Sequence, residues 1–237
     1  MTDEVRSWGA PIPVYDQGID MSRIARMARK AQPGLLMVDR TVHGPYENYQ
    51  TPERKIPKKQ LDYPWESGIP LGNNWGFVPG DPYKSSGEVI HDLIEIVAKG
   101  GSLLLGVGPR PDGTLDPAAV KILGQIGQWM SCNGEAIYTT RNTPFYQDGS
   151  VFFTRSKTAQ HLYAIACLKK GKPIPSVIRW KTNIPVAGSE MILLASGQKV
   201  HWKVQNGVVE VKVPGAFIRR HAVYPALAFK FNVIAGK

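Results

Sequence analysis

The chain has 237 residues, of which 43% are hydrophobic and 20% charged, a composition typical of a globular protein with a sizeable core. Its net charge is +10, but the basic residues are scattered in short groups, without the basic helix, zinc-finger spacing or aromatic motif of a nucleic-acid binder. No apolar run reaches the roughly 18 residues that a membrane helix needs. The composition therefore argues against nucleic acid and membranes as partners.

The cysteines indicate whether disulfides or a metal site are expected, and the first residues indicate whether a secretory signal is present. Cys132 and Cys167 are the only cysteines, too few for a disulfide framework and without a CxxC or Cys/His cluster, so no metal site is implied. The first residues, MTDEVRSWGAPIP, contain no apolar secretory signal. A cytoplasmic location is expected if Met1 is the native start.

The first half of the chain alternates helical and strand patterns. Apolar residues at helical spacing from Ile24 predict a helix that stops at Gln32-Pro33-Gly34, because Pro and Gly end helices. The apolar run LLMVDR (35–40) then predicts a buried parallel strand.

The same alternation continues after residue 84. Ser85 and Glu88 have the spacing of a capping box ahead of a helix, and SLLLGVG (102–108) predicts a second buried strand. Asp116-Pro117 predicts the start of another helix. Polar and aromatic residues gather after the strands, which favours a TIM-like (β/α) barrel. A doubly wound sheet is disfavoured, since VGPRPDG is not the glycine-rich loop of that fold.

The pattern changes near Tyr138. Short β-branched and aromatic runs follow one another, and Gln205-Asn206-Gly207 between two of them predicts a hairpin. We therefore expect a partial (β/α) barrel over 1–138 and an antiparallel β-sandwich over 139–237. The six runs are VFFTR, HLYAIACL, SVIRWKT, EMILLA, VHWKV and VVEVKV.

The barrel part is too short to close by itself. A complete barrel needs about 250 residues and eight strands, whereas about three strands are predicted before Tyr138. Open sheet edges require a cover. The sequence therefore predicts a homo-oligomer or a complementing barrel segment.

Two regions, together spanning about residues 19–142, carry a resemblance to a known family. The first contains QPGLLMVDR, YENYQTPER, DYPWESG and NNWGF, and the second reads LIEIVAKGGSLLLGVGPRPDGTLDPAAVKILGQIGQWMSCNGEAIYTTR. The first resembles the acid/base region of family 29 α-L-fucosidases, and the second resembles the C-terminal barrel signature of that family. The resemblance implies retaining hydrolysis of fucosylated glycans or glycosides, without metal or cofactor. The alternative is a truncated, non-catalytic module that binds carbohydrate or assembles.

The resemblance also implies where two catalytic carboxylates belong. The family nucleophile, an aspartate at a strand end, falls at or just before the chain start, where Asp3 is the candidate and an ordinary chain terminus is the alternative reading. Glu53 is the best match to the acid/base position. Glu66 is second and Glu47 third, and each could instead be a surface glutamate.

Three further residues are expected to bind the sugar. By the resemblance, Arg40 would hydrogen-bond the fucose ring, although an Asp–Arg structural pair would also explain it. Trp75 would lie against the apolar face of the sugar or, alternatively, belong to the core. His43, in the same loop as Arg40, could line the cleft. One departure is Gly106, because the family commonly reads LLLNVGP, with Asn at this position.

Overall fold

The computed structural model describes residues 19–38, 45–221 and 223–232 of the chain. The helices are α1 (Met21–Ala31), α2 (Ser86–Ala98), α3 (Pro117–Asn133) and α4 (Gly215–Arg220). The strands are β1 (Glu66–Pro70), β2 (Ser102–Gly106), β3 (Thr140–Arg141), β4 (Gln147–Asp148), β5 (Val151–Ser156), β6 (Leu162–Cys167), β7 (Val177–Trp180), β8 (Met191–Leu193), β9 (Gln198–Lys199), β10 (Trp202–Gln205), β11 (Val208–Lys212) and β12 (Ala226–Phe231). In these ranges no helix is long and apolar enough to cross a membrane.

Helices α2 and α3 begin where the sequence predicts. In α2 the Ser85 side chain accepts from the Glu88 backbone, and the Glu88 side chain accepts from the Ser85 backbone, so the capping box is complete. In α3 the Asp116 side chain accepts from the Ala118 N–H at 2.8 Å. Because side chains satisfy N–H groups that lack intrahelical partners, these starts are set locally.

The barrel part contains a row of parallel segments. β1 and β2 pair in parallel from Glu66↔Ser102 to Pro70↔Gly106. Two single bridges, Gln50↔Trp65 and Glu53↔Gly68, add a segment on the other side of β1. The pairing thus brings residues 50–53, 66–70 and 102–106 side by side.

The predictions for this row were right for β2 and incomplete elsewhere. The strand predicted over 35–40 appears in the described part only as a single bridge between Val38 and Tyr49. β1 was not predicted, because Pro64, Gly68 and Pro70 give that stretch the composition of a loop. Pairing on both sides of β1 holds it extended despite that composition.

The second half of the chain forms two antiparallel sheets. The larger has the order β3-β5-β6-β12-β8-β9, with β4 pairing β5, and the smaller has the order β10-β11-β7. Their facing sides share a core in which the Trp180 ring lies 6.0 to 6.3 Å from three phenyl rings, those of Phe153, Phe229 and Phe231. The predicted hairpin forms with positive φ at Asn206 and Gly207. The central strand β12 was not predicted. The boundary at 138/139 stays a prediction.

Helix α2 lies between the parallel row and the larger sheet. Ile90 and Ile94 pack with Phe152 and Ile165 of the sheet, while Ile96 packs with Trp65 and Ile69 on the side of β1. All are buried. The parallel row is therefore held against the sheets through a shared hydrophobic layer.

Candidate active site

One side of the parallel row is open. Leu103 and Leu105 of β2 pack toward the helices, whereas Leu104 between them is 53% exposed. Since side chains alternate along a strand, Gly106 shares the side of Leu104. Register places Gly68 there as well, because it pairs with Leu104. We call this side, defined by Gly68, Leu104 and Gly106 with the adjoining Glu53, the open face.

Glu53 lies at the carboxyl end of its segment on the open face. It pairs with Gly68 in parallel, and the next residue, Arg54, donates its N–H to the Gly68 carbonyl at 2.7 Å. Its side chain is only 7% exposed. The indole Nε1–H of Trp75 donates to Glu53 Oε1 at 2.9 Å. A buried carboxyl group is thereby held by a defined donor.

The Trp75 ring lies on two glycines. A Cβ built on Gly68 would lie 3.3 Å from Trp75 Cη2, and one built on Gly106 would lie 2.6 Å from Cε3 and Cζ3. The ring thus spans β1 and β2 at positions where neither strand has a side chain. It remains 37% exposed, so part of its surface faces solvent beside Glu53.

The loop that carries Trp75 is held on two sides. Arg54 donates from Nη1 to the Asn73 carbonyl at 2.7 Å, and its guanidinium carbon lies 5.5 Å from the centre of the Trp75 ring, within cation–π range. Asp81 Oδ2 accepts from the N–H groups of Asn73 and Asn74 at 2.9 and 3.0 Å. Arg54 has φ of 56°, which is strained for a residue with a side chain.

Two cavities lie in the described part of the fold, and the smaller one adjoins the loop that carries Trp75. One of about 400 Å³ is lined by Arg54, Asn73, Lys84 and Asp92 among others. Burial raises the pKa of the Asp92 carboxyl, against the opposing attraction of Lys84. A larger cavity, of about 650 Å³, lies where the start of α2 meets β6 and shares no lining residue with the first. The described residues contain no group of three His, Cys, Asp or Glu side chains that could hold a metal ion.

Comparison with known proteins decides the family. A sequence model described as α-L-fucosidase matches residues 5–135, more than half of the chain. The chain belongs to the α-L-fucosidase family. The resemblance seen in the motifs is thereby confirmed.

Individual relatives agree with this assignment. The plasma α-L-fucosidase of Homo sapiens is 28% identical over 190 residues, which cover 73% of the chain but 38% of that relative. The tissue α-L-fucosidase of Mus musculus is 32% identical over 103 residues, which cover 42% of the chain and 22% of the relative. The chain thus spans well under half the length of these curated fucosidases.

Solved fucosidase structures share the fold. α-L-fucosidase isoenzyme 1 from Paenibacillus thiaminolyticus matches with a TM-score of 0.74 and 24% identity, over 90% of this chain and 53% of its own. The Thermotoga maritima α-fucosidase in complex with fucose matches with a TM-score of 0.73 and 22% identity, over 90% and 48%. The expected partial barrel followed by a β-sandwich is therefore confirmed.

The structure brings some of the predicted site residues together and separates others. Glu53 and Trp75 are in direct contact. Glu66 is partly buried and lies two residues before Gly68 on β1, about 6.6 Å toward the amino end of the strands. Glu47 Oε1 accepts from Gln50 Nε2 at 3.4 Å.

Three predicted residues cannot be placed. Asp3, Arg40 and His43 lie outside the described residues. Their roles, like those of Glu53, Glu66 and Trp75, stay predictions.

Sequence reasoning missed the groups that support Trp75. Arg54 follows Glu53 directly, and Gly68 and Gly106 stand in strands where glycine signals a close approach of another group. The glycine signal was present in the sequence, but it does not say which group approaches. Asp81 carried no recognisable pattern.

Proposed function

We propose that this chain supplies the acid/base half of a retaining α-L-fucosidase site, which releases α-L-fucose from fucosylated glycans or glycosides once the barrel is completed. The observation that carries the proposal is the buried Glu53, bonded to Trp75 on the open face. It is supported by the family match over residues 5–135. No cofactor is required, because two carboxyl groups suffice for this reaction.

Glu53 acts twice in this mechanism. First its protonated carboxyl gives a proton to the glycosidic oxygen as the bond to the anomeric carbon breaks, while a second carboxylate attacks that carbon and forms a glycosyl ester. The ionised Glu53 then takes a proton from a water molecule, which attacks the same carbon and releases fucose and the free nucleophile.

Position on the strands favours Glu53 over Glu66. Active sites of (β/α) barrels lie at the carboxyl ends of the strands. Glu53 lies at that end of its segment, where it forms the bridge to Gly68, whereas Glu66 is the first residue of β1. Glu66 therefore lies nearer the amino ends of the strands and remains the second candidate.

The nucleophile must come from elsewhere. Retaining enzymes hold their two carboxyl groups about 5–5.5 Å apart. Asp3 is the candidate within the chain, and a second copy or a complementing barrel segment is the other source. The exposed Leu104 on the open face is consistent with a surface that a further segment covers.

The test is hydrolysis of two aryl α-L-fucosides, phenyl and 2,4-dinitrophenyl, at rising protein concentration, with the mass in solution measured alongside by light scattering. We expect turnover to rise with assembly. We expect Glu53→Gln to lower turnover of the phenyl fucoside by about 100-fold or more, because its leaving group needs a proton. The dinitrophenyl fucoside should lose less in its first step. Glu66→Gln should keep most of the activity, and Asp3→Asn tests the nucleophile.

Two results would contradict the proposal in different ways. Phenyl fucoside turnover that survives Glu53→Gln but is lost in Glu66→Gln would move the acid/base role to Glu66. An absence of turnover in every assembled state would favour the non-catalytic module. Binding of L-fucose without turnover, measured by calorimetry, would identify that module as a carbohydrate binder.

A further inference from the structure

We infer that Trp75 is a positioning residue for the Glu53 carboxyl group. We further infer that the absence of a side chain at Gly106 leaves the space that the Trp75 ring needs in order to reach Glu53. This inference rests on the proposed acid/base role of Glu53. It assigns the indole N–H a task beyond that of an apolar wall for the sugar. It also gives a reason for glycine at 106, a position where the family commonly has Asn.

The Trp75 ring packs directly against the backbone of β2 at Gly106. A Cβ on Gly106 would approach Trp75 Cε3 and Cζ3 to 2.6 Å, well inside van der Waals contact. Any side chain at 106 therefore displaces the ring. The approach to Gly68 is looser, at 3.3 Å from Cη2, so an added methyl group there requires only a small shift.

The ring cannot move away freely, because its loop is anchored on both sides of Trp75. Arg54 holds the Asn73 carbonyl on one side. On the other side the backbone of Gly76 and Phe77 lies so close to Gly108 that a Cβ there would be 2.3 Å from the Phe77 nitrogen. A ring pushed off Gly106 must therefore rotate or break these contacts. Either movement takes Nε1 away from Glu53.

The bond matters for acid catalysis because the indole N–H can only donate. Glu53 Oε1 must then serve as acceptor, as it does at 2.9 Å. In the neutral acid the acceptor is the carbonyl oxygen, so the proton resides on Oε2. The bond thus constrains the orientation of the carboxyl group and favours Oε2 as the oxygen that delivers the proton. Loss of the bond leaves the carboxyl group present without this constraint.

The hydrogen bond between Trp75 and Glu53 can be tested by NMR without enzymatic turnover. In ¹⁵N-labelled full chain, the Trp75 indole N–H resonance, assigned by its loss in Trp75→Phe, should shift in Glu53→Gln, because the hydrogen-bond acceptor changes from a carboxyl group to an amide. In a Gly106→Ala background the same Glu53→Gln substitution should cause no shift, because the bond is already lost. Gly124→Ala is the matched control, since a Cβ there meets nothing within 4 Å, and it should keep the shift.

A second readout uses the leaving group. In the assembled protein, Gly106→Ala and Trp75→Phe should each lower turnover of the phenyl fucoside about tenfold or more relative to the dinitrophenyl fucoside. A loss of stability alone would lower both equally. Gly68→Ala should have a smaller effect on the ratio. If Gly106→Ala does not fold, Trp75→Phe, which keeps a ring but no donor, gives the same test.

The outcomes separate this inference from the proposed function. The inference would be overturned if the Trp75 indole resonance were unaffected by Glu53→Gln. It would also be overturned if the resonance in a Gly106→Ala background depended on Glu53 as it does in the parent chain, even if Glu53 proves to be the acid/base. A response that behaves as expected in protein without fucosidase activity in any assembled state would support the role of Gly106 and overturn the proposed function.

Discussion

The indole N–H of Trp129 in α3 donates to the carbonyl of Ala226 in β12 at 2.9 Å. Both residues are buried, at 3% and 0% exposure. The bond joins a helix of the barrel part to a central strand of the larger sheet. Because Trp129 packs in the same cluster as Ile94 and Phe152, we expect the helices and the sheet to unfold together.

Trp129→Phe tests this coupling. Loss of the indole donor leaves a buried carbonyl with one partner fewer, so the free energy of unfolding should fall by about 1–3 kcal/mol. Urea unfolding followed by circular dichroism should still show one transition. Trp202→Phe is the control, since its indole donates to the Ser189 carbonyl at 3.0 Å from a half-buried position and its loss should cost less. Two separate transitions would contradict a shared core.

The strained backbone at Arg54 yields a prediction about glycine. Arg54→Ala and Arg54→Gly both lose the contacts with Asn73 and Trp75, but only glycine adopts a φ of 56° without strain. Arg54→Gly should therefore be more stable than Arg54→Ala by about 1 kcal/mol, measured by urea unfolding. At Lys55, which is not among the positive-φ residues, the order should reverse. Equal stability of the two Arg54 variants would show that no strain resides there.

Asp92 predicts a pH dependence of stability. Burial raises the pKa of its carboxyl group, so the folded state holds this proton more tightly than the unfolded chain. Its contribution to stability therefore falls as pH rises through the unfolded and then the folded pKa. Asp92→Asn lacks this loss. It should have a higher Tm than the parent at neutral pH, and the difference should vanish below about pH 4.

Asp112 provides the control of opposite sign. Hydrogen bonds from the backbone and side chain of Thr114 lower the pKa of the Asp112 carboxyl group. Asp112→Asn should therefore lower the Tm at neutral pH, with the difference disappearing in acid. If Asp92→Asn lowered the Tm at neutral pH instead, the attraction of Lys84 would outweigh the cost of burial.

The two thiols should differ in reactivity. Burial, with a smaller contribution from Glu95, raises the pKa of Cys167 to about 12, which leaves almost no thiolate near neutral pH. Cys132 is exposed. Iodoacetamide should label Cys132 promptly and Cys167 only after unfolding, as followed by mass spectrometry. The Cys132→Ser variant should show only the slow phase. Equal rates at both thiols would contradict the raised pKa of Cys167.

Local features of the fold were predictable from the sequence. The capping box of Ser85 and Glu88 and the cap at Asp116 depend on residues three or fewer positions apart. The hairpin at Asn206-Gly207 depends on two residues that tolerate positive φ. Such signals are complete within a few residues, so no knowledge of the rest of the chain is needed to read them.

The arrangement around Glu53 was only half predictable. The motif singled out Glu53 and Trp75 separately, but the 2.9 Å bond between them depends on β1 lying between residues 50–53 and β2. That strand was not predicted, because its one proline and one glycine have low strand propensity. Its two neighbours supply the hydrogen bonds that its own composition does not favour.

The sequence by itself determined the family, the alternation of elements and the residues with suitable chemistry. Tertiary structure alone decided which of them meet. Trp75 reaches Glu53 and rests on Gly106 because parallel pairing aligns three segments that are distant in the chain. The missing side chain at 106 leaves the space that the ring occupies. Contacts of this kind depend on register and packed volume, which no local pattern of residues encodes.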